Sequence, residues 1–268
     1  MSIKTCGKMM IMEYAIEVVD LVKRYAKAKV PSVDGISFTV AKGQFFSLLG
    51  PNGAGKTTTI SILTTLLSRT SGKTLVAGFD TEKQSNQVRS RVGIIFQKPS
   101  LDQNLTAEEN VRFHAALYGL FPYRPTYQMM PEKYKNQIKQ LSEVLGLTPD
   151  DLAKPVKTMS GGMKRKLEIV RSLMHKPQVL FLDEPTSGLD PQSRKSLWNY
   201  LSQIRKEHHT TIFLTTHYLE EAEDADMICV INNGKIVAQG SPAKIKKEFA
   251  GQHTTLEQAY LNIVEQTQ

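Results

Sequence analysis

GPNGAGKTT, residues 50–58, decides how the rest of this 268-residue sequence is to be read. An apolar run, QFFSLL at 44–49, leads into it, and a stretch of helical character at 57–67 follows. Strand, glycine-rich loop and helix in that order make a phosphate cradle. Successive backbone N–H groups wrap the phosphate oxygens, and the helix points its positive end at them. Gly50, Gly53 and Gly55, with Pro51, Asn52 and Ala54 between them, form the loop. Lys56 is expected to reach the β- and γ-phosphates as a point charge and the Thr57 hydroxyl to bind Mg²⁺, with Thr58 beside it at the nucleotide.

Such a loop needs a second strand that brings a carboxylate to the same sheet edge. VLFLDEP supplies it: an apolar strand ending in Asp183 and Glu184. Asp183 is read as the metal partner and Glu184 as the group that orients, or takes a proton from, the attacking water. An ordinary acidic turn after a buried strand is the alternative that this stretch alone leaves open.

The bulk numbers agree with an enzyme of this kind without choosing it. A chain 40% hydrophobic and 22% charged can bury a sizeable core, as one large α/β domain or as a core carrying a smaller subdomain. Its net charge of +8 suits anionic partners: nucleotide phosphates, lipid headgroups or nucleic acid. Two cysteines, Cys6 and Cys229, without CxxC spacing suggest neither a disulfide framework nor a zinc site, and so a reducing compartment. Apolar runs such as 179–182 fall far short of the roughly 18–20 residues that cross a bilayer, so a channel would have to come from another chain. Residues 1–15 read as a loose tail without a secretory signal, and Met9, Met10 or Met12 is a candidate translation start.

Outward from the loop, residues 16–21 and 36–40 read as antiparallel strands and 92–96 as a further strand ending at Gln97. Thr106 and Glu109 form a capping box for a helix through 120. Prolines at 122, 125, 131, 149 and 155 surround a helix near 132–145, marking a helical insertion, and a helix follows from Ser160 to about 175. Asp190 with Pro191 launches the next helix, 211–214 is a strand, and 220–224 a short acidic helix. Strands at 227–231 and 235–238 flank an Asn233-Gly234 hairpin turn, and two tail helices close the chain, the second opening on a T-x-x-E box at Thr254 and Glu257.

MSGGM at 159–163, upstream of LDEPTSGLD, resembles the signature sequence of ABC ATPases. Ser160 can cap its helix while Gly161 and Gly162 permit close approach, giving a second anion-binding helix end. The resemblance covers about residues 16–244. It is greatest to the ATPases of daunorubicin-resistance-type drug exporters, through VDGISF, VGIIFQKPSLDQNLT, SGGMKRKLEI and LEQAYL. It implies a P-loop NTPase core with an N-terminal antiparallel β subdomain and an inserted α-helical subdomain. The ATPase domain would span 16–245, the insertion about 100–175 and a helical tail 246–268.

The resemblance further implies that Ser160, Gly161 and Gly162 face the γ-phosphate held by a second copy of the chain or a homologous ATPase subunit. Gln97 is similar to the glutamine that touches Mg²⁺ or water and relays nucleotide state, and Tyr25 to the aromatic that stacks on adenine. His217 is similar to the histidine that bonds the γ-phosphate, and Asp190 to the loop that crosses the dimer interface. The implied activity is ATP hydrolysis at the cytoplasmic face of a membrane, driving a permease encoded separately, with ATP and Mg²⁺ as cofactors and no nucleic acid as partner. Met163 and Met159 depart from the general signature, which has glutamine and leucine there; methionine at 163 is a trait of the exporter group.

Two other classes compete. A soluble ABC protein acting on ribosomes or DNA would suit the charge, but would carry two cassettes or long heptad inserts, and one cassette with no sustained heptads is found. A sensor that binds without hydrolysing is opposed by Lys56, Asp183, Glu184 and His217 together. The basic run Lys164, Arg165 and Lys166 reads mostly as a solvated helix face, as do Lys244, Lys246 and Lys247.

Overall fold

Alternating apolar residues make β1 (Tyr14–Lys23) and β2 (Val33–Ala41), which pair antiparallel with Ile16, Val18 and Leu21 opposite Val40, Phe38 and Ile36. The computed structural model describes residues 14–96, 100–251 and 254–267. Cys6, Met9, Met10, Met12 and Gln97 lie outside the described residues. After β2 come β3 (Phe45–Leu49), α1 (Lys56–Leu63), β4 (Ser71–Val76), β5 (Phe79–Asp80), α2 (Ser85–Arg89) and β6 (Val92–Ile95). A helical block follows: α3 (Ala107–Leu117), α4 (Glu132–Val144), α5 (Pro149–Ala153) and α6 (Gly161–Leu173). The chain then forms β7 (Val179–Asp183), α7 (Pro191–His208), β8 (Thr211–Thr215), β9 (Met227–Asn232), β10 (Lys235–Gly240), α8 (Pro242–Phe249) and α9 (Leu256–Gln266).

Among the described residues the strands form two sheets, ordered β2-β1-β4-β5 and β10-β9-β3-β8-β7-β6. The first is antiparallel; in the second β9, β3, β8, β7 and β6 run parallel and β10 closes the edge antiparallel. Strands buried on both faces carry near-continuous apolar runs, and β3, β7 and β8 are buried at every position. Odd and even positions feed different cores. Phe46, Leu48, Phe181 and Phe213 join Ile16, Phe38 and Ile60 between the sheets and α1. Phe45, Leu49, Leu180, Leu182 and Leu214 face the helices. Phe38, Phe46, Phe213 and Phe181 pack in sequence with centroids 5.2, 5.2 and 5.3 Å apart, the first two pairs stacked and the last tilted.

The expected capping box of α3 is formed, and Asp190 caps α7 with Pro191 in its first turn. Several boundaries differ. Helix α1 ends at Leu63 because Thr65 turns left-handed (φ 66°) and the N–H groups of Leu66 and Leu67 both donate back to Ser61 O. The cap of α9 is Thr255, which accepts from Gln258 N, while Thr254 donates instead to Gly251 O. The acidic segment after β8 is a 3₁₀ turn, Leu219–Ala222, in which Glu221 is buried.

Where α3 and α6 meet β6, His114, Tyr118 and His175 stack, and His175 Nε2 lies 2.8 Å from Val92 O. Burial, with repulsion from Arg171 and His175, holds the His114 imidazole down to about 3 from its usual 6.5. Burial likewise depresses His175, partly offset by its bond to the Val92 carbonyl. Both folded-state values lie below the unfolded ones, so the unfolded chain takes up protons first as pH falls. Their contribution is intact above the usual value of 6.5 and is lost progressively as pH falls below it, for His114 by up to about 1.4 kcal/mol per pH unit. Thermal unfolding between pH 7 and 5 should show this decline, and His114→Phe should make it shallower; an unchanged slope would contradict the burial argument.

Candidate functional site

The parallel register brings three strand ends to one edge. Leu48 of β3 and Asp183 of β7 both pair with Thr215 of β8, so the loop after Leu49, the carboxylates after Leu182 and the segment after Thr215 emerge side by side. The glycine-rich loop turns tightly there. A Cβ on Gly50 would sit 2.2 Å from Ile231 O, and one on Gly55, whose φ is +110°, 2.4 Å from Ser32 O. These two glycines are therefore demanded by packing as well as by any ligand. With Gly55 as its N-cap, α1 directs its first N–H groups and its positive dipole end into the space above.

That space is an open cleft of about 300 Å³ lined by Ser32, Asn52, Gly53, Gly55, Lys56, Thr57, Thr58, Asp183 and Glu184. Most of the expected loop residues thus meet both carboxylates. Lys56 Nζ donates to Gly50 O (2.6 Å) and Pro51 O (3.0 Å). Burial lowers its pKa, and the charges of Asp183 and Glu184 act the other way. Thr215 Oγ1 donates to Asp183 Oδ1 at 2.5 Å, while burial raises the carboxyl's pKa against that bond. Glu184 takes a left-handed backbone (φ 49°) and its N–H donates to Thr215 O at 2.9 Å. His217 Nδ1 lies 3.1 Å from Glu184 Oε1. The buried Glu221 carboxylate ties the two loops together, accepting from Thr186 Oγ1 and, at 2.7 Å, from Thr216 Oγ1.

Tyr25 stands at the side of this cleft, half exposed, its hydroxyl 3.5 Å from Thr58 Oγ1. Ser160, Gly161, Gly162 and Asp190 do not line the cleft. Ser160 caps α6 by accepting from Met163 N (3.2 Å), and Gly162 approaches Gly188 O. Asp190 accepts from Ser193 N and Oγ, bonds that hold its carboxyl down to about 2, and lies 3.4 Å from Lys166 Nζ.

The basic run after the signature glycines is not a solvated face throughout. Arg165 is 3% exposed. It faces inward because α6 packs its side against the ends of β6 and β7, and its guanidinium donates to Phe96 O just after β6 and to the carbonyls of Asp183, Glu184 and Pro185 at the end of β7. Glu168 is 0% exposed and pairs with Arg165 at 2.9 Å. The sequence did hold a signal: Arg165, Glu168 and Arg171 recur every three residues, the spacing of charges that meet along one helix face. Ser32 was overlooked as well, and nothing in its local sequence marks it as a neighbour of the loop.

A family model described as ABC transporter matches residues 33–187, more than half of the 268 residues. The chain belongs to the ABC transporter family. A "Probable multidrug ABC transporter ATP-binding protein" of Escherichia coli is 37% identical over 255 residues, 94% of this ABC chain and 42% of its own length. The ABC chain therefore spans less than half of that relative. The daunorubicin/doxorubicin resistance ATP-binding protein of Streptomyces peucetius is 39% identical over 88% of this chain and 68% of its own length. A solved structure described as "Structure of ATP binding subunit of ABC transporter" is similar with a TM-score of 0.83 and 27% identity, covering 93% of this chain and 99% of that one.

The bond between Thr215 and Asp183 is a buried polar contact of this ABC site. Thr215→Val keeps the shape of the side chain but leaves the carboxylate without that donor, and should lower the unfolding free energy by about 1–3 kcal/mol. Urea denaturation measures it; a loss indistinguishable from zero would show that the contact is dispensable.

Proposed function

We propose that this chain is the ATP-binding and ATP-hydrolysing subunit of a drug-exporter-type ABC transporter, driving a permease on a separate chain by ATP-dependent closure of a dimer. One observation carries the reading: Glu184, which lines a cleft floored by the glycine-rich loop, stands 3.1 Å from His217 on the adjoining segment. A carboxylate and an imidazole so placed suit a general base for water and a hydrogen-bond partner for the terminal phosphate. Lys56, held by carbonyls of its own loop, has the charge and reach to exchange them for phosphate oxygens. Tyr25 would stack on the adenine, and the relatives' names support drug export as the transport role.

The residues fit a magnesium ion. Thr57 and Asp183 offer hard oxygen donors to the cleft, and the buried Asp183 carboxylate, whose pKa burial raises, gains from a neighbouring cation. Thr57 and Asp183 would hold it, joined by Gln97. When bound it would neutralise charge on the transferring phosphoryl group.

The second half of the site is supplied by a partner chain in this reading. A Cβ on Gly161 would meet nothing within 4 Å, so no neighbour in its own chain requires a glycine there. Yet glycine is a poorer helix former than alanine. Close approach of a nucleotide held by another subunit, at the capped end led by Ser160 with Gly162, accounts for it, and Asp190 lies toward the same interface. Residues 16–245 are then the ATPase unit, with the helices of about 100–175 inserted in it and 246–268 a helical tail. The assembly sits on the cytoplasmic face of the membrane. Among the described residues no helix is long and apolar enough to cross it.

Glu184→Gln should bind ATP, turn over about 10²- to 10⁴-fold more slowly and accumulate as an ATP-loaded dimer on size-exclusion chromatography. Lys56→Ala should instead weaken nucleotide binding about 10- to 100-fold in a direct titration. Wild-type turnover by a Glu184→Gln chain that stays monomeric with ATP would sink the assignment.

A further inference from the structure

Arg165 does not line the cleft, yet its guanidinium is saturated by acceptors. Five N–H groups can be donated, and five acceptors are present. Nε donates to Pro185 O (3.0 Å), Nη2 to Asp183 O (3.0 Å) and Glu184 O (2.7 Å), and Nη1 to Glu168 Oε2 (2.9 Å) and Phe96 O. Three of these acceptors are consecutive carbonyls, and the middle one belongs to Glu184, the residue whose backbone turns left-handed at the end of β7. A left-handed glutamate persists only where its surroundings over-determine it. The fork of Arg165 does so from one side of the chain, and the Glu184 N–H bond to Thr215 O does so from the other.

Glu168 extends the brace. Its Oε1 accepts from Ser100 N (3.1 Å), and Arg171 donates to Ser100 O (2.6 Å) and Ser100 Oγ (2.7 Å). Phe96 and Ser100 flank residues 97–99, so one face of α6 holds both flanks of that segment and the backbone under the carboxylate. The same helix begins at Ser160.

We propose that Arg165, held by Glu168, is a positioning residue that fixes the Asp183–Glu184–Pro185 backbone and so aims the Glu184 carboxylate, linking the Ser160 end of α6 to the hydrolytic step. The inference rests on Glu184 acting as the general base. Arg165 itself touches neither the cleft nor, in this account, the nucleotide. Removing it should change how fast bound ATP is hydrolysed and leave ATP binding largely intact.

The test is steady-state ATP turnover by the full chain carrying Arg165→Met with Glu168→Leu, each on the wild-type and on the Glu184→Gln background. The paired replacement takes out both charges of the Arg165–Glu168 pair together, while Arg171, 3.9 Å from Glu168, keeps its bonds to Ser100. KM should stay within about threefold while kcat falls about 10- to 100-fold. Arg165→Lys, with three donors in place of five, should fall between. On the Glu184→Gln background the same pair should lower the residual rate by less than about twofold, because both changes act through one carboxylate. A folded paired variant with wild-type kcat, or equal fold-losses on the two backgrounds, overturns the proposal. If circular dichroism shows the pair unfolded, Arg165→Lys decides: wild-type kcat there overturns it, and a lowered kcat at unchanged KM supports it. Glu184→Gln with wild-type turnover would overturn the general-base reading in its own arm, and with it this inference.

Discussion

Everything functional in this chain hangs on three parallel strands that end level with one another. Pairing of β3 and β7 with the same β8 fixes the loop, the carboxylates and the His217 segment at one edge to within a residue, because a slip of one position would turn Phe46, Phe181 and Phe213 out of the core between the sheets. The aromatic stack behind the edge makes that slip expensive. The geometry of the proposed site is thus set by packing of the core between the two sheets and α1. In α/β sheets of this kind the crevice beyond the carboxyl ends of the strands is where ligands bind.

The edge so formed gathers charge at the floor of an open cleft and beneath it. Lys56, Asp183, Arg165 and Glu168 are all largely buried, and for each of them burial pushes the pKa toward the neutral form. Each is compensated by a specific partner: loop carbonyls for Lys56, Thr215 for Asp183, backbone carbonyls and Glu168 for Arg165. Groups of this kind are already desolvated before a ligand arrives, so phosphate charge entering the cleft meets oriented donors with little reorganisation. The same compensation explains why a single substitution in the network should affect neighbours: an orphaned buried charge costs more than its pair was worth.

Much of this was legible in the sequence, for physical reasons. The glycine loop, the apolar strand ending in Asp183 and Glu184, the capped helices at Thr106 and Asp190 and the Asn233-Gly234 turn are all dictated by local chemistry. What escaped depends on contacts distant in sequence. The β4–β5 hairpin turns at Ala77 and Gly78, both at positive φ, and alanine there hides a turn that asparagine announces at 233. Ser32 lines the cleft only because the loop after β1 folds back beneath Gly55. Arg165 reads as surface charge until β7 is placed beside α6. The cap at Thr255 competes with Thr254 at equal sequence merit, and only the fold chooses between them.

In the proposed dimer Lys56 and Ser160 of one chain serve different ATP sites. Mixing Lys56→Ala chains with Ser160→Arg chains, each inactive alone, and measuring ATP turnover tests this arrangement. In mixed dimers one site pairs the intact loop of one subunit with the intact helix end of the other, so equal mixing should restore activity toward about a quarter of wild type. No recovery from two folded variants that exchange subunits would contradict the account.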